Sequence, residues 1–157
     1  MNTAAVVTIS DSTSQGKRQD LSGPAVVSEL TSAGFKVVHT AVVPDEREQI
    51  QRQLIASTGQ ANLVVTVGGT GIAARDVTPE ATLAVVERVI DGIPEKMRAA
   101  GSAKTPLAAL SRGICGMRGR SLILNLPGSP KAAVESLQAV LDILPHALEL
   151  LSGKTDH

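Results

Sequence analysis

Residues Asn62 to Thr82 read NLVVTVGGTGIAARDVTPEAT, and this stretch holds the pattern that decides the fold. Its first part, Leu63 to Val67, is apolar and β-branched, long enough for a buried strand and too short for an ordinary helix. Gly68 to Gly71 contains three glycines, which let the backbone take positive φ and bring N–H groups close to a ligand. With Arg75 and Asp76 just beyond the glycines, the pattern predicts a phosphate-binding turn after a strand.

A tight connection between a strand and a helix can also use glycine for its geometry alone, so the loop by itself leaves two interpretations open. It is not a P-loop, because no Gly-Lys-Ser/Thr follows, and it is not a dinucleotide fingerprint, because no helix begins directly from the glycines. Thr78, Pro79 and Glu80 instead predict the N-cap, the first position and the first-turn acid of a new helix, which we expect to end at Ile90.

Length and composition bound the class of protein. The 157 residues and 16.2 kDa predict one domain over residues 1–157. Lys plus Arg (15) equals Asp plus Glu (15), which argues against nucleic acid or an anionic membrane as partner. Phe35 is the only aromatic residue, so an aromatic platform for base stacking is excluded. Cys115, the single cysteine, allows no intrachain disulfide, and the lack of a signal or membrane-length segment predicts a cytoplasmic protein.

Strand-like and helical patterns alternate along the first two thirds of the chain. Strands are predicted at Ala4–Ile9, Phe35–Val43 and Leu63–Val67, each followed by a helical pattern, so the sheet should be mostly parallel and covered on both faces. Ile114–Met117 and Ser121–Leu126 are joined by a tight turn and predict an antiparallel pair.

Two helices carry more detailed predictions. Asp45 and Glu48 have the spacing of a capping box, and the helix after them should bury Ile50, Leu54 and Ile55. The last helix should start at Pro130 with Ser129 as N-cap and bend at Pro145, and a frayed tail should follow from Ser152 to His157. One apolar stripe should run along this helix, formed by Val134, Leu137, Leu141, Leu144, Leu148 and Leu151.

Polar side chains follow three of the predicted strands where each strand ends. Asp11, Asp45 and Asp76 occupy these positions, and the carboxyl ends of parallel strands share one rim where ligands bind. Singly, they could be a turn former, a helix cap and the ion-pair partner of Arg75, and Ser129 with Lys131 could be a cap and an exposed base.

Together, these residues predict a single site for phosphate chemistry. Carboxylates can hold Mg²⁺, and glycine-loop N–H groups with Lys131 can hold phosphates. An ionised phosphate as nucleophile needs no general base, so the absence of a loop histidine is no objection. We expect His39, His146 and His157 to be structural or merely exposed.

Several separated motifs resemble one family. Besides TVGGTGIAARDVTPEAT, they are Ser10-Asp11, Pro44-Asp45-Glu46, Gly92-Ile93-Pro94-Glu95, Leu110-Ser111-Arg112 and Asn125 to Lys131, NLPGSPK. The chain resembles the MogA/MoaB family of molybdenum cofactor biosynthesis, which includes the G domain of gephyrin, from about Ala4 to Leu151.

The resemblance implies a molybdopterin adenylyltransferase with a three-layer α/β/α sandwich, a mostly parallel sheet and one short antiparallel strand. It implies ATP and molybdopterin as substrates, Mg²⁺ as cofactor, a homotrimer, and possible hand-off of the product to a molybdenum insertase. Asp45 and Asp76 match the catalytic and metal-binding acids. The matching substrate-binding positions are Ser10, Asp11, Gly68, Gly69, Thr70, Gly71, Ser111, Pro127, Gly128, Ser129 and Lys131. Within this set, Ser111, Ser129 and Lys131 match the side that receives the pterin. Arg75 and Glu95 match too, without an assigned role.

Two alternatives to an adenylyltransferase stay open at this point. One is a MoaB-like protein of the same fold that binds the pterin without catalysis. The other is a nucleotide pyrophosphatase of the CinA type, although those chains normally carry a further domain. A scaffolding role, as the relation to gephyrin suggests, is disfavoured because no scaffold linker is present.

Overall fold

The computed structural model of the protein describes residues 1–155, so the end of the predicted tail, including His157, lies outside the described residues. Helices and strands alternate along the chain. The strands are β1 (Thr3–Ile9), β2 (Lys36–Val43), β3 (Leu63–Val67), β4 (Arg88–Val89), β5 (Cys115–Arg118) and β6 (Ser121–Leu126). The helices are α1 (Asp11–Ser14), α2 (Ser22–Ser32), α3 (Arg47–Thr58), α4 (Thr78–Val85), α5 (Gly92–Ser102), a 3-10 turn (Pro106–Leu110), α6 (Pro130–Gln138) and α7 (Leu144–Leu151). None of these helices is long and apolar enough to cross a membrane.

The six strands form one sheet in the order β2-β1-β3-β6-β5-β4. The pairs β1·β2, β1·β3 and β3·β6 are parallel, whereas β5 is antiparallel to both of its neighbours. Within residues 1–155, β5 is therefore the one strand that runs against the others, as the sequence predicts. Gly119 makes its tight turn into β6 at φ 58°.

Alternating residues of the central strands supply two separate apolar cores. Val6, Val65 and Leu124 point to the face covered by α2, α5, α6 and α7. Val7 and Val64 point to the opposite face, which α3 and α4 cover. Because successive side chains of a strand point to opposite faces, an uninterrupted apolar run such as LVVTV serves both cores, and the predicted three-layer sandwich is confirmed.

Four predicted details of the helices are wrong. The predicted N-cap Thr78 is the first residue of α4, and Val77 holds the N-cap position without a side-chain capping bond. The helix that should reach Ile90 ends at Val85, because residues 88–89 leave it to pair with β5 as the edge strand β4. The single last helix is two helices, and Pro145 lies in the first turn of α7 rather than at a bend, since an early proline removes no helical hydrogen bond. Ile55 is 44% exposed on α3, whereas Ile50 and Leu54 are fully buried.

The predicted capping box before α3 is also absent. Glu46 holds the N-cap position and makes no side-chain capping bond. The Asp45 carboxylate instead accepts a hydrogen bond from the backbone N–H of Asp11, at the start of α1. A tertiary contact has therefore replaced the local one, and it turns Asp45 towards the rim where β1, β2 and β3 end.

Candidate active site at the carboxyl edge of the sheet

Two cavities open at this rim and meet over the glycine loop, residues 68–71. The apolar cavity, of about 420 Å³, lies between that loop, α5 and the 3-10 turn, and its lining includes Pro94, Met97, Leu107, Ser111 and Pro127. The polar cavity, of about 440 Å³, lies between the loop, residues 18–22 and the start of α6, and its lining includes Ser10, Arg18, Asp20, Asp45 and Ser129. Gly69, Asp76 and Gly128 line both.

The glycines at the start of the loop are required by its geometry. Gly68 has φ 106° and Gly69 has φ 70°, in the left-handed region that disfavours side chains. A Cβ on Gly68 would collide with the carbonyl oxygen of Ile9, and one on Gly69 would collide with the Thr78 hydroxyl. That hydroxyl donates to the Gly68 carbonyl oxygen at 2.9 Å, so Thr78 holds the loop across the start of α4.

Asp11 and Asp45 hold each other by a reciprocal pair of hydrogen bonds. The backbone N–H of Asp11 donates to Oδ2 of Asp45 at 3.0 Å, and the N–H of Asp45 donates to Oδ1 of Asp11 at 2.9 Å. Arg75 then binds Asp11 with two donors, Nε to Oδ2 at 2.8 Å and Nη2 to Oδ1 at 2.9 Å, and it also reaches Glu46 at 3.0 Å. The loops that follow β1, β2 and β3 are thus tied together.

This arrangement gives the two carboxylates different electrostatic environments. The hydrogen bonds from Arg75 hold the pKa of Asp11 below its ordinary value. Burial raises the pKa of Asp45, and the negative charges of Asp11 and Asp76 add to that increase. Oδ1 of Asp45 is buried and, within residues 1–155, is without a hydrogen-bond partner. An unpaired carboxylate oxygen beside other acids is where a cation or a donor would be favoured.

Asp76 follows the glycine loop and lines both cavities. Its Oδ2 accepts from the Ala73 N–H at 3.0 Å and would lie 2.8 Å from a Cβ on Gly71. Oδ1 of Asp45 would lie 3.1 Å from a Cβ on Gly69. No cluster of three or more potential protein ligands is found among the described residues. Two carboxylates with open positions fit Mg²⁺, which usually binds one or two carboxylates together with substrate phosphates.

The second glycine turn closes the site from β6. Ser129 caps α6 by accepting from the Ala132 N–H at 3.2 Å, as its sequence position predicts. Ser22 donates to the Gly128 carbonyl oxygen, which fixes that turn against α2. A Cβ on Gly128 would lie 3.5 Å from the Cα of Gly68, so the two glycine turns are in near contact.

The structure groups the predicted residues differently in one respect. Ser111 lines the apolar cavity, whereas Ser129 lines the polar one, so the residues expected together on the pterin side are divided. Lys131 and Asp11 line neither cavity. The division arises because β5 runs antiparallel, and its amino end therefore brings Ser111 to the rim beside β6.

Two features of the site were not assigned from the sequence. Arg112 forms hydrogen bonds to the glycine loop and to Glu80, and only its neighbourhood in the Leu110-Ser111-Arg112 motif singled it out. Arg18 and Asp20 line the polar cavity from a loop that the sequence pattern describes only as polar. Asp20 is fixed there by donors from Thr8 and Gly23 at 2.7 and 2.9 Å.

Fold and site together define a class: an α/β sandwich with two joined cavities beside paired carboxylates at the carboxyl edge of its sheet. A family model described as "probable molybdopterin binding domain" matches residues 5–146. The chain belongs to the MogA/MoaB family of molybdenum cofactor biosynthesis proteins.

Individual relatives agree with this assignment over most of their length. A molybdopterin adenylyltransferase of Helicobacter pylori (strain J99) is 42% identical over 152 residues, which are 94% of this chain and 86% of the relative. That of Escherichia coli K12 is 41% identical, with coverages of 98% and 88%. The crystal structure of the molybdopterin biosynthesis enzyme MoaB from Thermus thermophilus is 49% identical, covers 98% of both chains and has a TM-score of 0.92. The predicted family and the predicted transferase role in molybdenum cofactor biosynthesis are confirmed.

Proposed function

We propose that this chain is a molybdopterin adenylyltransferase that uses ATP. The terminal phosphate oxygen of molybdopterin attacks the α-phosphorus of ATP, the bond from that phosphorus to the bridging oxygen of the β-phosphate breaks, and adenylylated molybdopterin and pyrophosphate form. One observation carries the proposal: two cavities of similar volume meet at Gly69, Asp76 and Gly128. Each can take one substrate while the reacting phosphates meet at the junction.

The residues at this junction suit the reaction because they can position phosphates, and the reaction itself needs no proton acceptor. The glycine loop and the start of α6 offer backbone N–H groups to phosphate oxygens. The nucleophile is an ionised phosphate, so orientation and charge stabilisation are the main requirements. We infer that Ser10, Thr70, Gly71, Ser111 and Ser129 contact the substrates.

We also infer that Asp45 and Asp76 hold Mg²⁺. Two observations support this choice: Oδ1 of Asp45 has no hydrogen-bond partner in the part of the chain that the structure describes, and both carboxylates line the polar cavity. The bound ion would offset the negative charge of the triphosphate and of the leaving pyrophosphate. Asp11 orients Asp45 through the reciprocal hydrogen bonds, and Arg75 in turn holds Asp11 through a two-donor ion pair.

The wider setting follows the resemblance. We propose a homotrimer in the cytoplasm that passes its adenylylated product to a molybdenum insertase. Mass measurement of the native protein in solution tests the assembly, and a monomeric or dimeric mass would contradict it. Retention of the product in a complex with the insertase tests the hand-off.

The test of the activity is release of pyrophosphate from ATP and molybdopterin with Mg²⁺, measured with and without the pterin. The proposal expects release that depends on both the pterin and the metal, and loss of that release in Asp45→Asn. Pterin binding without pyrophosphate release would favour the non-catalytic alternative. Cleavage of a nucleotide without the pterin would favour the pyrophosphatase alternative.

A matched control separates a site effect from a general effect of removing charge. The side chain of Asp142, in the segment between α6 and α7, is 72% exposed and lies 3.6 Å from Nζ of Lys96. Asp142→Asn removes the same charge as Asp45→Asn and should keep full pyrophosphate release. Equal loss in the two variants would contradict the assignment of Asp45.

A further inference from the structure

Arg112 holds the glycine loop through both its main chain and its side chain. Its backbone N–H donates to the Thr70 carbonyl oxygen at 2.8 Å. Its guanidinium donates from Nε to the Gly71 carbonyl oxygen at 2.7 Å and from Nη2 to the Asp76 carbonyl oxygen at 2.8 Å. One residue from the segment before β5 therefore fixes three carbonyl groups between Thr70 and Asp76.

These bonds also set the direction of the neighbouring N–H groups. In a trans peptide the carbonyl and the following N–H point in opposite directions. Thr78 holds the Gly69 carbonyl and Arg112 holds those of Thr70 and Gly71, so the N–H groups of Thr70, Gly71 and Ile72 turn to the other side. Among residues 1–155, these three N–H groups have no intrachain acceptor. These three N–H groups therefore remain available to an anion where the two cavities meet.

The contact between residue 112 and the glycine loop requires an arginine side chain, and Glu80 holds that side chain in place. Nη1 of Arg112 donates to Oε2 of Glu80 at 2.7 Å, and this bond lowers the pKa of Glu80. A planar guanidinium can serve two carbonyls and one carboxylate at once, whereas an ammonium is a point charge on a flexible stem. Arg112 reaches the loop because β5 runs antiparallel and starts at the rim where β3 and β6 end.

We propose that Arg112 is a positioning residue for the adenylyl transfer. By holding the carbonyl side of residues 70–76, it keeps the N–H groups of Thr70, Gly71 and Ile72 and the carboxylate of Asp76 in the arrangement that receives the phosphates. The inference rests on the proposed function and adds to it a residue that need not touch a substrate.

The test compares Arg112→Ala and Arg112→Lys with Arg118→Ala as matched control. Arg118 also donates to one main-chain carbonyl, that of Val85 at 2.9 Å, but it lines neither cavity. We expect kcat/KM for ATP to fall about 100-fold in both Arg112 variants, because a displacement near 1 Å at a reacting group costs about that much. Arg118→Ala should keep the native value. Added guanidinium ion should restore turnover to Arg112→Ala and not to Arg112→Lys.

A second readout follows the loop itself, independently of catalysis. Hydrogen exchange of the peptide that covers residues 68–76 should speed up in both Arg112 variants and stay native in Arg118→Ala. Native exchange in that peptide, or native kcat/KM in both Arg112 variants, would overturn the inference. Absence of adenylyl transfer in the native chain would instead refute the proposed function, while the exchange measurement would still show whether Arg112 holds the loop.

Discussion

Asp45→Asn should stabilise the protein at neutral pH while abolishing adenylyl transfer. Oδ1 of Asp45 is buried without a partner in residues 1–155, and burial and the nearby Asp11 and Asp76 charges all oppose ionisation of the carboxyl. An unsatisfied buried group costs about 1–3 kcal/mol when it is neutral and more when it is charged, so the amide NH2 that replaces Oδ1 costs less than the ionised oxygen. The amide oxygen can still accept from the Asp11 N–H, although a neutral acceptor makes a weaker bond by about 1 kcal/mol.

The balance predicts a gain of about 1 kcal/mol in the free energy of unfolding. For a chain of this length, that gain corresponds to an increase of about 2–4 °C in Tm. Differential scanning calorimetry of the native protein and the variant at neutral pH measures it directly. Asp142→Asn serves as control, because removing an exposed charge should change the unfolding free energy by less than about 0.5 kcal/mol.

The pH dependence of the difference provides a check on its cause. The pKa of Asp45 in the folded protein lies above its ordinary value of 3.8. Ionisation of Asp45 therefore opposes folding above the folded-state pKa, and this cost disappears as pH falls towards 3.8. The advantage of Asp45→Asn should be complete at neutral pH and should shrink on acidification. A variant that is less stable than the native protein, or an advantage that does not change with pH, would refute the reasoning.

Three further variants test neighbouring parts of the site. Asp76→Ala should remove turnover and leave pterin affinity nearly unchanged, since a lost metal ligand acts mainly in the transition state. Initial rates measure turnover and a pterin fluorescence titration measures affinity. Near-normal turnover would contradict the role of Asp76. Gly69→Ala should lose more unfolding free energy in urea than Gly34→Ala. Both positions have positive φ, but only a Cβ on Gly69 meets the Thr78 hydroxyl, so equal losses would contradict that contact. Lys131 is exposed and lines neither cavity, so Lys131→Ala should weaken pterin binding only through lost long-range attraction, and more at low salt than at high salt. A loss independent of salt would exclude an electrostatic role.

The central strands, the glycine loop and the cap of α6 could all be predicted from the sequence. The bounds of β3 agree with the apolar run Leu63–Val67 because burial on both faces leaves an uninterrupted pattern. Ser129 and Pro130 identify the start of α6 because capping involves only adjacent residues. The sequence pattern extends α4 to Ile90, but Arg88 and Val89 pair with Met117 and Gly116 of β5, and no local pattern indicates that contact.

The same limit applies at the site. The sequence by itself determined which residues could end a strand, turn with positive φ or cap a helix, since backbone geometry and side-chain period act within a few residues. Only the tertiary structure decided that Asp11 and Asp45 exchange hydrogen bonds, that Oδ1 of Asp45 has no partner within residues 1–155, and that Arg112 holds the glycine loop. Those contacts depend on strand order and on the reversed direction of β5, which bring distant segments to one rim.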